Sequence, residues 1–136
     1  MALKIIFMGT PEFSVPILES LHQSTHKIVE VYTQPPTKKN RGQNVHLSPV
    51  HTFSKENNIP VRYPNRIDTN EELKYIDKLK ADVVIVVAYG KILPPSLLNL
   101  KNLKFINIHA SLLPKWRGSA PIHRAIMNSD PETGIS

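Results

Sequence analysis

The chain contains no cysteine, which excludes disulfides and thiolate metal sites and leaves nothing that points to an oxidising compartment. No window approaches the roughly 18 consecutive apolar residues of a membrane span. The apolar stretch near the N-terminus stops at Gly9-Thr10-Pro11-Glu12, too soon for a signal-peptide core. A cytoplasmic location is therefore the expectation. The sequence also lacks Gly-x-Gly-x-x-Gly. The turn after its first apolar run reads Gly9-Thr10-Pro11-Glu12-Phe13, without the bare backbone a pyrophosphate needs, so a dinucleotide cofactor is set aside. Internal repeats and low-complexity tracts are absent. His22, His26, His46, His51 and His123 show no spacing that suggests a metal or catalytic cluster, and no metal is expected.

At 136 residues the chain fits one domain with a core of useful size. The formal charge of +6 favours an anionic partner. Its distribution carries more information than its size. Lys38, Lys39 and Arg41 share one segment, and Lys115, Arg117 and Arg124 flank another. A solvated basic surface is the plain alternative.

Apolar, β-branched runs predict strands over residues 4–8, 27–33, 60–63, 82–88 and 105–108, with a further strand starting at Thr133. Between them the spacing predicts helices. One is capped by Ser14 and carries Pro16 in its first turn; another is capped by Ser48 with Pro49 at the first helical position; a third is capped by Asp68. A short helix follows over 96–100, and another over 120–128. Alternating strands and helices make an α/β domain with a mainly parallel, Rossmann-like sheet. The strand over 82–88 holds Val-Val-Ile-Val-Val, apolar on both faces, as suits the sheet centre. Residues 34–44, with two prolines, basic side chains and a glycine, read as an exposed mobile loop that could clamp phosphates or simply be a flexible insertion.

The organising stretch is 104–125. Asn107 and His109 alternate with apolar residues, so they project from one face of a strand end. A carboxamide donor beside a titratable imidazole can stabilise an oxyanion and manage a proton. The alternative is a polar pair hydrogen-bonded at a strand end. Gly90 follows a central strand and lets a ligand approach the backbone, while Tyr89 suits core filling and a ligand wall equally. Trp116 is likewise open between packing and contact. In parallel sheets ligands bind outside the carboxyl ends of the strands, and Gly9, the basic segment, residues 88–91 and residues 107–116 all share that rim.

Together, Gly9-Thr10-Pro11-Glu12-Phe13, Ala88-Tyr89-Gly90, Asn107-Ile108-His109-Ala110-Ser111-Leu112-Leu113-Pro114 and Trp116-Arg117-Gly118-Ser119-Ala120-Pro121 resemble the folate-dependent formyltransferases. Within that family the first, second and last segments and the Gln34-Pro35…Arg41-Gly42 stretch resemble the branch that formylates initiator methionyl-tRNA in translation initiation. The resemblance implies the formyltransferase fold, incomplete at its C-terminal end, and 10-formyltetrahydrofolate as formyl donor. It implies Asn107 and His109 as catalytic residues. Ser111, Leu112, Leu113 and Pro114, with Ala88, Tyr89 and Gly90, would contact the folate. Arg41, supported by Lys38 and Lys39, would be the main contact to the tRNA. It also implies a catalytic aspartate after the strand that begins at Thr133, whereas the chain ends at Ser136. The expectation is thus an N-terminal, folate-binding and catalytic domain over 1–136, monomeric, truncated before that aspartate and before a C-terminal tRNA-binding domain, and weak or inactive alone. Two other readings compete: a formyltransferase acting on a nucleotide or sugar nucleotide, and a non-catalytic basic tRNA-binding module.

Overall fold

The computed structural model describes residues 2–39 and 44–109. Its first strand, β1 (Lys4–Gly9), is flanked by β2 (Lys27–Tyr32) on one side and by β6 (Val83–Val87) on the other, all parallel. Beyond β2 lies β5 (Val61–Arg62), and beyond β6 lies β7 (Lys104–Asn107), so the sheet runs β5-β2-β1-β6-β7. The period of two along β1 divides its side chains between two cores. Ile6 and Met8 join Tyr32, Val84 and Val86 on one face, and Phe7 joins Val31 and Val87 on the other. Full burial of Phe7 alone stabilises the fold by about 1.5–3 kcal/mol.

Helices cover both faces. The first core is closed by Ile76 from α3 (Asn70–Lys78) and Leu97 from α4 (Pro95–Leu98). The second is closed by Leu18 from α1 (Val15–His22) and Val50 from α2 (Pro49–Glu56). In α2 the expected cap is present: the Ser48 hydroxyl accepts from the backbone N–H of His51 at 3.0 Å, with Pro49 at the first helical position.

Three local expectations are corrected. Ser14 precedes α1 but makes no side-chain cap, because its hydroxyl instead donates to the buried carbonyl of Val87 at 2.7 Å, and a one-turn 3-10 helix (Glu12–Ser14) leads into α1. Asp68 does not cap α3. Its carboxylate is held by the guanidinium of Arg66 at 2.9 and 3.0 Å, and Thr69 takes the cap position, accepting from the N–H of Glu72 at 3.2 Å. The segment expected as a mobile loop contains strands β3 (Thr37–Lys39) and β4 (Asn44–His46), paired as an antiparallel hairpin. Lys38 therefore stands on a strand opposite Val45, and Lys39 opposite Asn44. Among the described residues no helix is long and apolar enough to cross a membrane. The elements expected over 120–128 and from Thr133 lie outside the described residues.

Candidate functional site

The order of the sheet reverses between β1 and β6. From β1 the chain moves outward to β2 and then β5, and from β6 it moves the opposite way to β7. A crevice at the carboxyl ends of such a strand pair is where open α/β sheets take ligands.

The walls of this crevice are tightly built. A β-carbon added at Gly9 would lie 2.8 Å from the carbonyl oxygen of Val87 and 2.9 Å from the Phe7 ring, so glycine is required by close packing of β1 against the end of β6. Beyond the strands, the Thr10 hydroxyl donates to the carbonyl of Tyr89 at 2.8 Å. Ala88 (φ 54°) and Gly90 (φ 89°) both take left-handed backbone on either side of Tyr89, and for Ala88 this stores roughly 1–2 kcal/mol of strain.

The double turn sends the Tyr89 ring into the core, 1% exposed. Tyr89 is thus core filling as a side chain. Its buried hydroxyl has no hydrogen-bond partner among the described residues. Burial, reinforced by the negative charge of Glu72, pushes its phenol up to about 12. Nor is the space over Gly90 open: a β-carbon there would collide with the Gln34 carboxamide.

Beside this turn lies a cavity of about 340 Å³, whose walls include Phe13, Ala88, Gly90, Lys91, Asn107 and His109. Asn107, half-buried, is the last residue of β7 and pairs with Val86. The N–H of Ile108 continues the ladder to the Val86 carbonyl at 2.8 Å, and the Ile108 side chain is buried in the α1/α2 core. Asn107 and His109 accordingly turn away from that core and open together on the cavity, His109 exposed and Asn107 deeper. Lys91 also lines the cavity, but its ammonium is engaged elsewhere, its Nζ donating to the Asn65 carbonyl at 2.9 Å. A carboxamide and an imidazole on one cavity can bind a polar carbonyl compound, polarise it and move a proton.

Of the residues singled out in the sequence, Ala88, Tyr89, Gly90, Asn107 and His109 are brought together. Lys38 stands exposed on the hairpin, away from these walls. Arg41, Ser111, Leu112, Leu113 and Pro114 lie outside the described residues. Among the described residues no carboxylate lines the cavity. Asp82 precedes β6 and accepts from the N–H of Lys4 at 2.8 Å at the opposite rim, and Asp68 follows β5 at the far edge of the sheet.

Sequence reasoning did not find the buried ionic cluster on the α3 face. The Arg62 guanidinium holds the Glu72 carboxylate through Nε (3.1 Å) and Nη2, and the Tyr32 hydroxyl donates to the same carboxylate at 2.9 Å. Arg62 also lies 4.0 Å over the Tyr75 ring, whose hydroxyl donates to Glu30 at 2.6 Å. Burial lifts the Glu30 carboxyl above its ordinary value against the pull of Tyr75 and Arg62. The Arg62 guanidinium is held above its ordinary value by its bond to Glu72. The available signal was Glu30 and Tyr32 at alternate positions of an otherwise apolar strand. Residues 88–91 and 34–44 were placed on this rim from the sequence, but Thr10, Phe13, Gln34 and Lys91 were not singled out there as site residues.

The sequence profile described as formyl transferase matches residues 3–136. The methionyl-tRNA formyltransferase of Pelagibacter ubique is 56% identical over 100% of this chain and 44% of its own length, and that of Paramagnetospirillum magneticum is 51% identical over 98% and 44%. The chain thus spans less than half the length of the curated relatives it matches. Among solved structures, the phosphoribosylglycinamide formyltransferase of Brucella melitensis superposes with a TM-score of 0.57 at 20% identity, covering 95% of this chain and 68% of that one. A formyltetrahydrofolate deformylase from Pseudomonas syringae gives 0.55 at 22%, covering 94% and 42%. At these identities the structures bear on the fold alone.

Proposed function

The chain belongs to the formyl transferase family, and from that premise we propose that it carries the formyl-donor half of an enzyme that formylates the amino group of initiator methionyl-tRNA from 10-formyltetrahydrofolate. The observation that supports this most strongly is the shared cavity of Asn107, His109, Ala88 and Gly90 at the carboxyl rim. The whole-chain similarity to methionyl-tRNA formyltransferases supports methionyl-tRNA as the acceptor. In this reading residues 1–136 are the folate-binding, catalytic N-terminal domain.

The donor presents a formamide-like carbon. The methionyl amine attacks it, forming a C–N bond and moving the carbonyl electron pair onto oxygen. The Asn107 carboxamide donates to that oxyanion, an effect worth about 2.7–4 kcal/mol for one well-placed donor. The imidazole of His109 accepts the proton lost by the attacking nitrogen. Collapse of the intermediate breaks the bond to the folate nitrogen, and the same proton returns to that nitrogen as it leaves. Residues 111–114 would extend the folate contact. Arg41, with Lys38 and Lys39, would grip the acceptor end of the tRNA; Arg41→Ala would then weaken tRNA binding in a filter-binding or calorimetric assay, and an unchanged affinity would remove that residue from the interface.

The direct test is formyl transfer by the complete gene product, with labelled 10-formyltetrahydrofolate as donor and methionyl-tRNA, glycinamide ribonucleotide and an amino-sugar nucleotide offered separately. Label on methionyl-tRNA is the expected outcome. Label only on one of the small acceptors overturns the reading.

A further inference from the structure

The basic hairpin β3/β4 enters from residues 33–36 and leaves through 47–48, and both its entering leg and the start of the helix after its leaving leg are bonded to one residue of the rim. The Thr10 hydroxyl, which donates to the Tyr89 carbonyl at 2.8 Å, also accepts from the N–H of Gln34 on the entering leg at 3.3 Å, and the Thr33 hydroxyl lies 3.5 Å from it. The carbonyl of the same Thr10 accepts from the N–H of Val50, just past the leaving leg, at 3.3 Å. The two legs are joined to each other by the hydroxyls of buried Thr33 and of Ser48, 2.6 Å apart. Gln34 closes the arrangement by lying against Gly90, where no β-carbon could fit. One threonine therefore touches the entry of the hairpin, its exit, and the turn that walls the cavity holding Asn107 and His109.

We propose that Thr10 is a positioning residue that fixes the basic hairpin relative to the turn that walls the cavity, so that nucleic acid gripped by the hairpin is delivered to the formyl group. The inference rests on the tRNA acceptor proposed above only for its last clause. The mechanical clause stands on these hydrogen bonds alone. A short two-stranded hairpin whose described side chains, Thr37, Lys38 and Asn44–His46, are exposed has no packed face there to fix its stance, so its anchors must do so.

Because the chain has no native cysteine, Thr37→Cys on β3 gives a single site for a spin label that leaves Lys38 in place. Label mobility and affinity for methionyl-tRNA are then read in parallel, with circular dichroism as a check on folding. Thr10→Val keeps the shape and removes the hydroxyl. It is expected to free the label and to weaken tRNA binding about tenfold, the scale of one lost hydrogen bond, with the salt dependence of binding unchanged because no phosphate contact is removed. Thr10→Ser is expected to restore both. Thr33→Val, which cuts the link between the legs at a separate position, should loosen the label in the same way. A label as immobile in Thr10→Val and Thr33→Val as in the parent overturns the mechanical clause. A loosened label with parental tRNA affinity overturns the positioning clause. A label loosened in the variants, while the complete gene product with Thr10 intact binds no methionyl-tRNA, refutes the acceptor reading instead and leaves the anchoring established.

Discussion

On the β2–β5 flank of the rim, Arg62, Glu72, Tyr32, Tyr75 and Glu30 answer one another: each donor has an acceptor within the cluster, and the carboxylates are almost completely buried. On the β6–β7 flank, Asn107 and His109 face a cavity of about 340 Å³, and among the described residues their side chains make no hydrogen bond. Similar polar chemistry is thus spent in two ways. Groups that satisfy each other fasten α3 to the sheet and have nothing left to offer a ligand, whereas groups that open on a cavity add little to stability and can bind and react. The proposed function assigns the chemistry to the second flank, although the first is the more conspicuous concentration of charge.

The contrast can be broken from either side, and the largest effect is expected at the open flank. Asn107→Ala should lower kcat for formyl transfer by about 10²–10³ while changing the unfolding free energy by less than about 1 kcal/mol; a variant that loses stability but keeps its kcat would reverse the assignment of the two flanks. At the closed flank the pattern is opposite. Glu72→Ala strands the buried Tyr32 hydroxyl and the partly exposed Arg62, and should cost roughly 2–4 kcal/mol in urea denaturation. A cost below 1 kcal/mol would mean that the cluster is not what holds α3.

Between the flanks, Gly9→Ala drives a methyl against the Val87 carbonyl and the Phe7 ring. A loss of about 1–3 kcal/mol is expected, and no loss would show that the crevice is looser than its geometry. The smallest effect concerns Tyr89, whose buried phenol is pushed up to about 12. Its folded value is raised above the ordinary 10, so the stability it contributes is present up to pH 10 and lost as pH rises through about 12. Tyr89→Phe should remove that step from an alkaline unfolding curve, and at neutral pH should be neutral or stabilising by a few tenths of a kcal/mol, since the hydroxyl has no partner among the described residues. A clear destabilisation would reveal a partner for it.

Legibility in the sequence followed the range of the interaction. Asn107 and His109 could be read as a pair because strand alternation is a two-residue rule, and the Ser48 cap because its partner is three residues away. The Thr69 cap was obscured because Asp68, an equally good capping residue, is drawn off by Arg66. Ser14 fails as a cap for a non-local reason, a carbonyl 73 residues further on. The hairpin strands carry no apolar alternation to mark them, because the side chains that can be described in them are exposed. The ionic cluster was illegible because Glu30 and Tyr75, 45 residues apart, meet only after the sheet and α3 have packed.

The central claim is that the open cavity, and not the basic hairpin, receives the formyl donor. Calorimetric titration of tetrahydrofolate into the chain, into Lys38→Ala and into Asn107→Trp, which fills the cavity from its own wall, tests this most directly. Binding that persists in Lys38→Ala and disappears in a folded Asn107→Trp is the result predicted; equal binding in all of them, or its loss in Lys38→Ala alone, would contradict it.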